Sequence, residues 1–309
     1  MKITSKALAK SLAILAVGAV ALTGCTNASQ QQPSSSSSGA ASFDPTTVAK
    51  DDTLAAQVSD TIKTRGTLLI GADTSYAPAE FLGGNDGRTP LGYDVDLSKA
   101  IAATLGLKVE VQTADFNGIL PALGSKYDLG ISSFTINSER LKAVNMVSYF
   151  NAGVQWAVQK GNPKNFSLDD VCGKNIGVQT GTVEEEDVTA RSKKCTDAGK
   201  AAINIVSLAK QAEVTTRLTG GAIDAMSADS PVTRYAISQT GDKLELLGSE
   251  TDAAQQGIAV AKTDTALADL VAKVVNKLMA DGTYKKILDA WSNSAGAIDK
   301  AVVNPAAAS

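Results

Sequence analysis

Histidine is absent from the 309 residues of the sequence. Histidine is the side chain whose ordinary pKa best suits proton transfer near neutral pH, and it is also the commonest metal ligand in proteins. Its absence weakens the case for most enzyme classes. We therefore predict a protein that is not an enzyme and that uses neither a metal ion nor another cofactor.

Positive charge is also in short supply. The chain has 29 basic and 32 acidic side chains, and its formal net charge is −3 at pH 7. No basic patch is present that would suit a nucleic acid, so we predict no such partner. Hydrophobic residues make up 44% of the sequence and charged residues 20%, which suits a globular protein of one large domain or two modest lobes.

The N-terminal residues carry a clear targeting signal. Three lysines among the first ten residues precede an apolar run at 12–22 that is too short to span a bilayer comfortably. The motif LTGC that ends this segment resembles a bacterial lipobox, in which Cys25 becomes the lipid-bearing first residue after cleavage. We predict a lipoprotein signal peptide over residues 1–24 and a lipid anchor on the outer face of the bacterial cell membrane. The alternative is an ordinary signal peptide or a membrane anchor, with Cys25 incidental.

The stretch TNASQQQPSSSSSGAAS follows this motif, and its polar composition is typical of a flexible tether, which we place at 25–42. Beyond it, Cys172 and Cys195 remain. In an extracytoplasmic protein these two would form a disulfide bond, whereas in the cytoplasm they could be reduced and unrelated. We predict the bond, with a structural role because no Cys-x-x-C motif is present.

Hydrophobic periodicity divides the rest of the chain into alternating elements. Residues 43–65 have an irregular apolar spacing that is consistent with a short amphipathic helix. Strand and helix patterns then alternate over 67–134, with one helix capped by Asp94 and one strand end that carries Ser133 and Thr135 on the same face. A second such set follows the extended segment VQWAVQKGN. This order predicts an α/β fold of two lobes joined by extended strands, in which the C-terminal segment completes the first lobe.

Six segments occur in the following order: LLIGADTSYAPAEF, LGYDVDLSKAIAATLG, DFNGILPALGSKYDLGISSFTINSERLKAV, IGVQTGT, GAIDAMSADSPV, and GIAVAKTD with VVNKLMADGTYKKILDAW. Over about 66–292, they resemble the family 3 solute-binding proteins of bacterial amino-acid ABC transporters, the polar amino-acid class. The resemblance implies a two-lobe, type II periplasmic-binding-protein-like fold that is hinged by two extended strands. Such a protein closes on one free L-amino acid and passes it to a membrane permease.

The resemblance sets the expected domain boundaries. They are an N-terminal helical extension at 43–65, a first lobe at 66–155 and 255–292, a second lobe at 156–254, and a C-terminal tail at 293–309.

The resemblance also assigns binding roles. Arg140 matches the arginine that grips the ligand α-carboxylate, and its planar guanidinium suits a planar anion. A cation is unexpected there, because Asn137 or Ser138 caps a helix whose N-terminal end favours anions. The alternative is that Arg140 is solvated or pairs with Glu139 or Asp128.

Four further residues match positions near the charged groups of the ligand. Ser133 and Thr135 match positions that hold its carboxylate and amino group. Thr182 matches a contact at a helix N-terminus whose free amides could receive the carboxylate, and Asp229 matches the aspartate that pairs with the α-ammonium. Each also has a structural explanation: the first two as strand-end polar residues, Thr182 in a capping box with Glu185, and Asp229 in a turn before Ser-Pro.

The resemblance places four residues at the ligand side chain. Tyr76 and Phe116 match an aromatic pair that sandwiches it. Asp73 matches a position that in some members contacts a polar or cationic side chain, which favours a basic or amide-bearing ligand. Gln179 is a further candidate contact.

Two residues depart from the family pattern. Ala79 stands where phenylalanine is usual, which could enlarge the pocket or repack one wall. Val183 stands where threonine, serine or glycine is usual, so only its backbone amide can serve the ligand.

Together these assignments predict an extracytoplasmic, monomeric lipoprotein. It would capture a polar or basic L-amino acid by hinge closure and deliver it to the permease and ATPase of an ABC transporter. One alternative is an amino-acid sensing subunit that docks on a membrane signalling protein, because its binding site would look the same. A remote alternative is a dehydratase-like enzyme on the same fold.

Overall fold

The computed structural model describes residues 43–307. The predicted signal peptide, the predicted lipidation site Cys25 and the predicted tether therefore lie outside the described residues. Within 43–307, no helix combines the length and the apolar character needed to cross a membrane.

Strands and helices alternate along most of the described chain. The strands are β1 (Thr67–Ala72), β2 (Ser75–Tyr76), β3 (Glu80–Gly83), β4 (Thr89–Leu91), β5 (Lys108–Thr113), β6 (Leu129–Gly130), β7 (Val144–Gln159), β8 (Asn175–Gln179), β9 (Asn204–Leu208), β10 (Ala225–Asp229) and β11 (Leu244–Ala261). The helices are α1 (Asp52–Ala55), α2 (Asp60–Arg65), α3 (Tyr93–Thr104), α4 (Phe116–Ile119), α5 (Ser138–Ala143), α6 (Val183–Asp197), α7 (Gln211–Thr219), α8 (Ser230–Gln239), α9 (Thr265–Ala280) and α10 (Thr283–Ala290).

Eight strands form one mixed sheet in the order β5-β1-β6-β11-β7-β10-β8-β9, and β2, β3 and β4 form a small antiparallel sheet. Within the large sheet, β5, β1 and β6 are parallel, and so are β10, β8 and β9. β7 and β11 lie between these groups and run antiparallel to their neighbours. The fold therefore consists of two parallel α/β units joined through two antiparallel strands.

The first unit shares its core with the C-terminal helices. Ile70 of β1 and Leu97 of α3 are buried in the same apolar cluster as Leu270 of α9 and Ile287 of α10. The apolar stripe of α9 faces this cluster, as expected for a helix that packs on a sheet. The C-terminal segment thus returns to the first unit, which the sequence pattern alone could not show.

The second unit has a core of its own around Trp156. Val178 of β8 and Val188 of α6 pack in this cluster, together with Cys195. The predicted disulfide bond between Cys172 and Cys195 is present and fastens the C-terminal part of α6 to the preceding loop.

β7 and β11 take part in both units, and their pairing is irregular. The register shifts between Leu247 and Thr251, between Thr251 and Ala254, and between Gln256 and Gly257. Such irregularities bend and twist a strand pair. The predicted lobe boundaries fall inside these two strands, and the division of the chain into lobes remains a prediction.

The predicted cap of α3 is wrong. Asp94 is the second residue of the helix, and Gly92 precedes the helix with φ at +125°. A Cβ on Gly92 would lie 2.0 Å from the Ala79 carbonyl oxygen, so only glycine fits there. The Asp94 amide donates to that same carbonyl oxygen at 3.0 Å. The side chain of Asp94 is therefore buried in the protein instead of closing the helix end.

Two other local predictions were also wrong. The single helix expected in 43–65 is two short helices, because Asp51 and Ser59 each cap a new start. Ser133 and Thr135 do not lie on a strand end, since β6 stops at Gly130. Ser133 has φ at +51°, and alternation along a strand cannot explain where its side chain lies.

Candidate functional site

A small cavity lies between the two units. Its free volume is about 10 Å³, about the space of one water molecule, so the residues around it nearly fill it. The residues that line it are Tyr76, Phe116, Ser133, Thr135, Arg140, Gln179, Thr182, Val183, Glu184 and Asp229. All predicted ligand contacts except Asp73 are in this set.

Arg140 lies in the first turn of α5, where the Asn137 side chain accepts its amide hydrogen at 2.8 Å. Its guanidinium donates to the carbonyl oxygens of Thr135 (2.9 Å) and Gly181 (3.2 Å). It packs over the Phe116 ring at 5.4 Å from the centroid. Within 43–307, no carboxylate forms an ion pair with Arg140, so neither partner considered from the sequence is used. A guanidinium has five N–H donors, which leaves some for an anion in the cavity.

Asp229 ends β10 and carries the negative charge at the other side of the cavity. Its Oδ2 atom accepts hydrogen bonds from the Tyr76 hydroxyl and the Gln256 amide, both at 2.9 Å. Burial raises the pKa of the Asp229 carboxyl well above its ordinary value, and the nearby charge of Glu184 adds to this, while Arg140 opposes it. A cation beside Asp229 would favour the ionised form of this carboxyl.

Asp73 follows β1 and lies behind Gln179, which donates to its Oδ2 atom at 2.8 Å. The carboxylate also accepts hydrogen bonds from the amide and hydroxyl of Ser75 and from the Phe116 amide. Burial raises the pKa of Asp73 in spite of these donors. Gln179 therefore lies between this buried carboxylate and the cavity.

The N-terminus of α6 forms one wall of the cavity. Thr182 caps the helix by accepting the Glu185 amide hydrogen at 3.2 Å, and the Glu185 carboxylate accepts the Gly181 amide hydrogen at 2.7 Å. The capping arrangement that the sequence offered as the structural explanation for Thr182 is thus present. It does not exclude a role in binding, because Thr182 and Val183 also line the cavity.

Ser133 owes its position to Asp94. The Asp94 Oδ2 atom accepts the Ser133 amide hydrogen at 2.9 Å and lies 3.3 Å from its hydroxyl. These bonds hold the chain in the left-handed conformation after β6. The adjacent Ser132 hydroxyl donates to Glu80 at 2.7 Å. Two buried carboxyl groups therefore fix the loop that forms the floor of the cavity.

Ala79 and Asp224 lie outside the cavity. Ala79 is fully buried in the core of the first unit, so its small size affects packing there and not the cavity wall. Asp224 pairs with Lys164 and accepts the Asn175 amide hydrogen, which agrees with a structural role.

The sequence did not indicate two members of the site, Glu184 and Gln256. Glu184 is one of three consecutive glutamates in the first turn of α6, where acidic residues are ordinary. Gln256 lies in the irregular part of β11, where no alternation shows which side chains are buried.

Comparison with known proteins identifies the class. The model of the bacterial extracellular solute-binding proteins, family 3, matches residues 68–294. The arginine-binding protein ArgT of Corynebacterium glutamicum is 32% identical over 305 residues, which cover 98% of this chain and 97% of that relative.

Solved structures agree with this result. An ancestral arginine-binding protein bound to arginine has a TM-score of 0.67 and 37% identity, with 74% of this chain and 98% of that chain covered. The ancestral amino acid-binding protein AncCDT-1, a precursor of cyclohexadienyl dehydratase, has a TM-score of 0.67 and 32% identity, with 75% and 98% covered.

The chain therefore belongs to family 3 of the bacterial extracellular solute-binding proteins and has their type II periplasmic-binding-protein fold. The predicted family and fold class are confirmed. The family consists of extracellular binding proteins, so the general function is capture of a solute.

Proposed function

We propose that this protein captures a basic L-amino acid, with L-arginine as the first candidate, and delivers it to the permease and ATPase of an ABC transporter. The observation that carries the proposal is the presence of Arg140 and Asp229 in one small cavity. A free amino acid carries one anionic and one cationic group on the same carbon atom, and these two residues offer one partner for each.

The α-carboxylate is placed against Arg140, with the Ser133 and Thr182 side chains and the amides that begin α6 as further donors. The α-ammonium is placed against Asp229. Tyr76 and Phe116 then flank the side chain of the ligand.

A basic side chain is favoured by two observations. Asp73 is a buried carboxylate next to the cavity, reached past Gln179, so a guanidinium or ammonium there would gain a charged partner. The relative from Corynebacterium glutamicum and the similar ancestral structure are both named for arginine.

Capture is proposed to proceed by closure of two lobes, at 66–155 with 255–292 and at 156–254, about β7 and β11. Arg140 belongs to the first and Asp229 to the second, so a ligand that contacts both stabilises the closed state. Hydrogen bonds between the lobes at the cavity, from Tyr76 to Asp229 and from Arg140 to Gly181, are compatible with such a state.

The protein is proposed to act outside the cytoplasm, as a monomer held to the membrane by lipid on Cys25. The LTGC motif and the polar tether support this attachment.

The test is isothermal titration of the mature chain, with Cys25→Ser to prevent lipid attachment, against the twenty L-amino acids. The chain is unfolded and refolded first to remove any carried ligand. Tight one-to-one binding of L-arginine or another basic amino acid is the expected result. Tight binding of an acidic or apolar amino acid, or no binding across the panel, would overturn the proposal.

A further inference from the structure

Glu184 is a buried carboxylate in the wall of the cavity. It is the second residue of α6, and only 2% of its surface is exposed. Among the residues that the structure describes, none provides a hydrogen-bond partner for its Oε1 atom. A buried carboxyl oxygen without a donor is unfavourable, and because Glu184 lines the cavity, a bound ligand can supply that donor.

Helix capping does not account for Glu184. Of the three consecutive glutamates, Glu185 completes the cap through its bond to the Gly181 amide, and Glu186 is exposed to solvent. Only Glu184 lines the cavity. Its burial is therefore a feature of the site and not of the helix end.

The charged neighbours of Glu184 are the two residues proposed to hold the charged groups of the ligand. Burial lowers the pKa of Arg140, and among the charges that oppose this shift Glu184 has the largest effect. Next to burial, Glu184 is also the main cause that raises the pKa of Asp229. Glu184 is thus near enough to both Arg140 and Asp229 to influence their charges.

An ammonium group beside Asp229 needs more hydrogen-bond acceptors than Asp229 offers. It has three N–H donors, while the Asp229 Oδ2 atom already accepts hydrogen bonds from Tyr76 and Gln256. Two buried carboxylates also repel each other unless a cation lies between them.

We propose that Glu184 accepts a hydrogen bond from the α-ammonium of the ligand, so that two carboxylates together recognise this group. The site then selects α-amino acids whose amino group is free and charged. This inference rests on the proposed function, since it takes the ligand to be an amino acid.

The experiment compares Glu184→Gln with the unsubstituted mature chain, both with Cys25→Ser, by isothermal titration. The ligands are L-arginine, L-citrulline as its uncharged side-chain analogue, and 5-guanidinopentanoic acid, which is arginine without the α-amino group. Glu186→Gln is the matched control, because it makes the same charge change two residues away on the exposed face. A cooperative thermal unfolding transition serves to check that each variant is folded. If Glu184→Gln does not fold, Glu184→Asp is used in its place.

Glu184→Gln should reduce the affinities for L-arginine and L-citrulline by the same factor. A factor of about 10 to 100 corresponds to the loss of one charge-assisted hydrogen bond. Binding of 5-guanidinopentanoic acid should not weaken, and Glu186→Gln should bind all three ligands like the unsubstituted chain. Unchanged affinity for L-arginine would overturn the inference, and so would a loss confined to L-arginine, which would assign Glu184 to the side chain. In both cases binding by the unsubstituted chain would leave the proposed function standing. Failure of the unsubstituted chain to bind either amino acid would instead overturn the proposed basic-amino-acid function, and the inference with it.

Discussion

The Tyr76 hydroxyl donates a hydrogen bond to Asp229 Oδ2 at 2.9 Å and accepts one from the Asp229 backbone amide at 3.1 Å. These residues are separated by 153 positions. Tyr76 packs in the core of the first unit, and Asp229 ends β10 of the second. All the atoms of both contacts are buried. The Tyr76 hydroxyl thus forms hydrogen bonds with both the carboxylate and the backbone amide of Asp229, the residue that we propose as the partner of the ligand ammonium.

Replacement of Tyr76 by phenylalanine should lower the stability of the protein. The substitution keeps the ring but leaves the Asp229 amide without a partner and its carboxylate with one donor fewer. The expected decrease in the free energy of unfolding is about 1–3 kcal/mol, measured by urea denaturation without ligand. Tyr127→Phe is the control, because the described contacts give its hydroxyl no hydrogen bond. A decrease no larger than that of the control would show that the two contacts contribute nothing to stability.

Arg140→Ala should abolish most of the affinity for L-arginine while the fold is retained. A fork of charge-assisted hydrogen bonds contributes about 1.5–3 kcal/mol for each bond, so a loss of at least about 100-fold is expected by isothermal titration. Arg140→Lys should recover only part of the affinity, since an ammonium group cannot form the planar fork. The exposed Arg88→Ala controls for the loss of a positive charge. Near-normal binding by a folded Arg140→Ala protein would remove Arg140 from the site.

Asp73→Asn should change how the protein recognises the side chain of the ligand. The substitution removes a buried negative charge but keeps the size of the group. Titration with L-arginine and L-citrulline should therefore show a smaller preference for L-arginine, by on the order of tenfold, with L-citrulline little affected. Glu184→Gln is instead expected to weaken the binding of both amino acids equally and to leave this preference unchanged. An unchanged ratio in Asp73→Asn would mean that this carboxylate only holds Ser75, Phe116 and Gln179 in place.

The sequence was sufficient to predict the parts of the fold that depend on local pattern. Alternating strand and helix signals and the apolar stripe of α9 gave two α/β units, and the ordered motifs gave the family. The pairing of the long β7 and β11 and the return of α9 and α10 to the first core depend on contacts far apart in the chain. No local signal encodes such contacts, and the resemblance alone supplied them.

The sequence motifs identified most of the residues that line the cavity. They did not show which contacts hold those residues in place. Ser133 was expected on a strand, whereas the buried Asp94 holds it in a left-handed turn, and Asp94 itself was expected to cap a helix. The sequence did not point to Glu184 as a site residue, because an acidic residue in the first turn of a helix is common. In each case a long-range contact with a buried charge decides the position, and the sequence does not show which charges are buried.

Glu80 and Asp94 form a buried carboxyl pair beneath the cavity. One oxygen of each accepts a hydrogen bond, from the Ser132 hydroxyl and the Ser133 amide respectively. The other oxygens, Glu80 Oε2 and Asp94 Oδ1, have no partner within the described chain. Two adjacent buried carboxyl groups cannot both be ionised, so one shared proton would satisfy both free oxygens. Because Asp94 already accepts an amide hydrogen, we place this proton on Glu80.

Glu80→Gln should therefore remove a pH dependence of stability. Burial raises the pKa of Glu80 well above its ordinary value of about 4.5, and burial also raises the pKa of Asp94 to about 6. A carboxyl group whose pKa is raised by folding contributes stability that is complete below its unfolded pKa and is lost as the pH rises through the folded pKa. Urea denaturation should show that the free energy of unfolding of the wild-type protein falls relative to that of Glu80→Gln from about pH 4.5 upward. The fall should be at most about 1.4 kcal/mol per pH unit for one proton. The glutamine amide donates to Asp94 at every pH, so the variant lacks this decline, whereas the exposed Glu110→Gln should follow the wild type. Parallel curves for wild type and Glu80→Gln would mean that the pair holds no proton and that both groups are charged beneath the site.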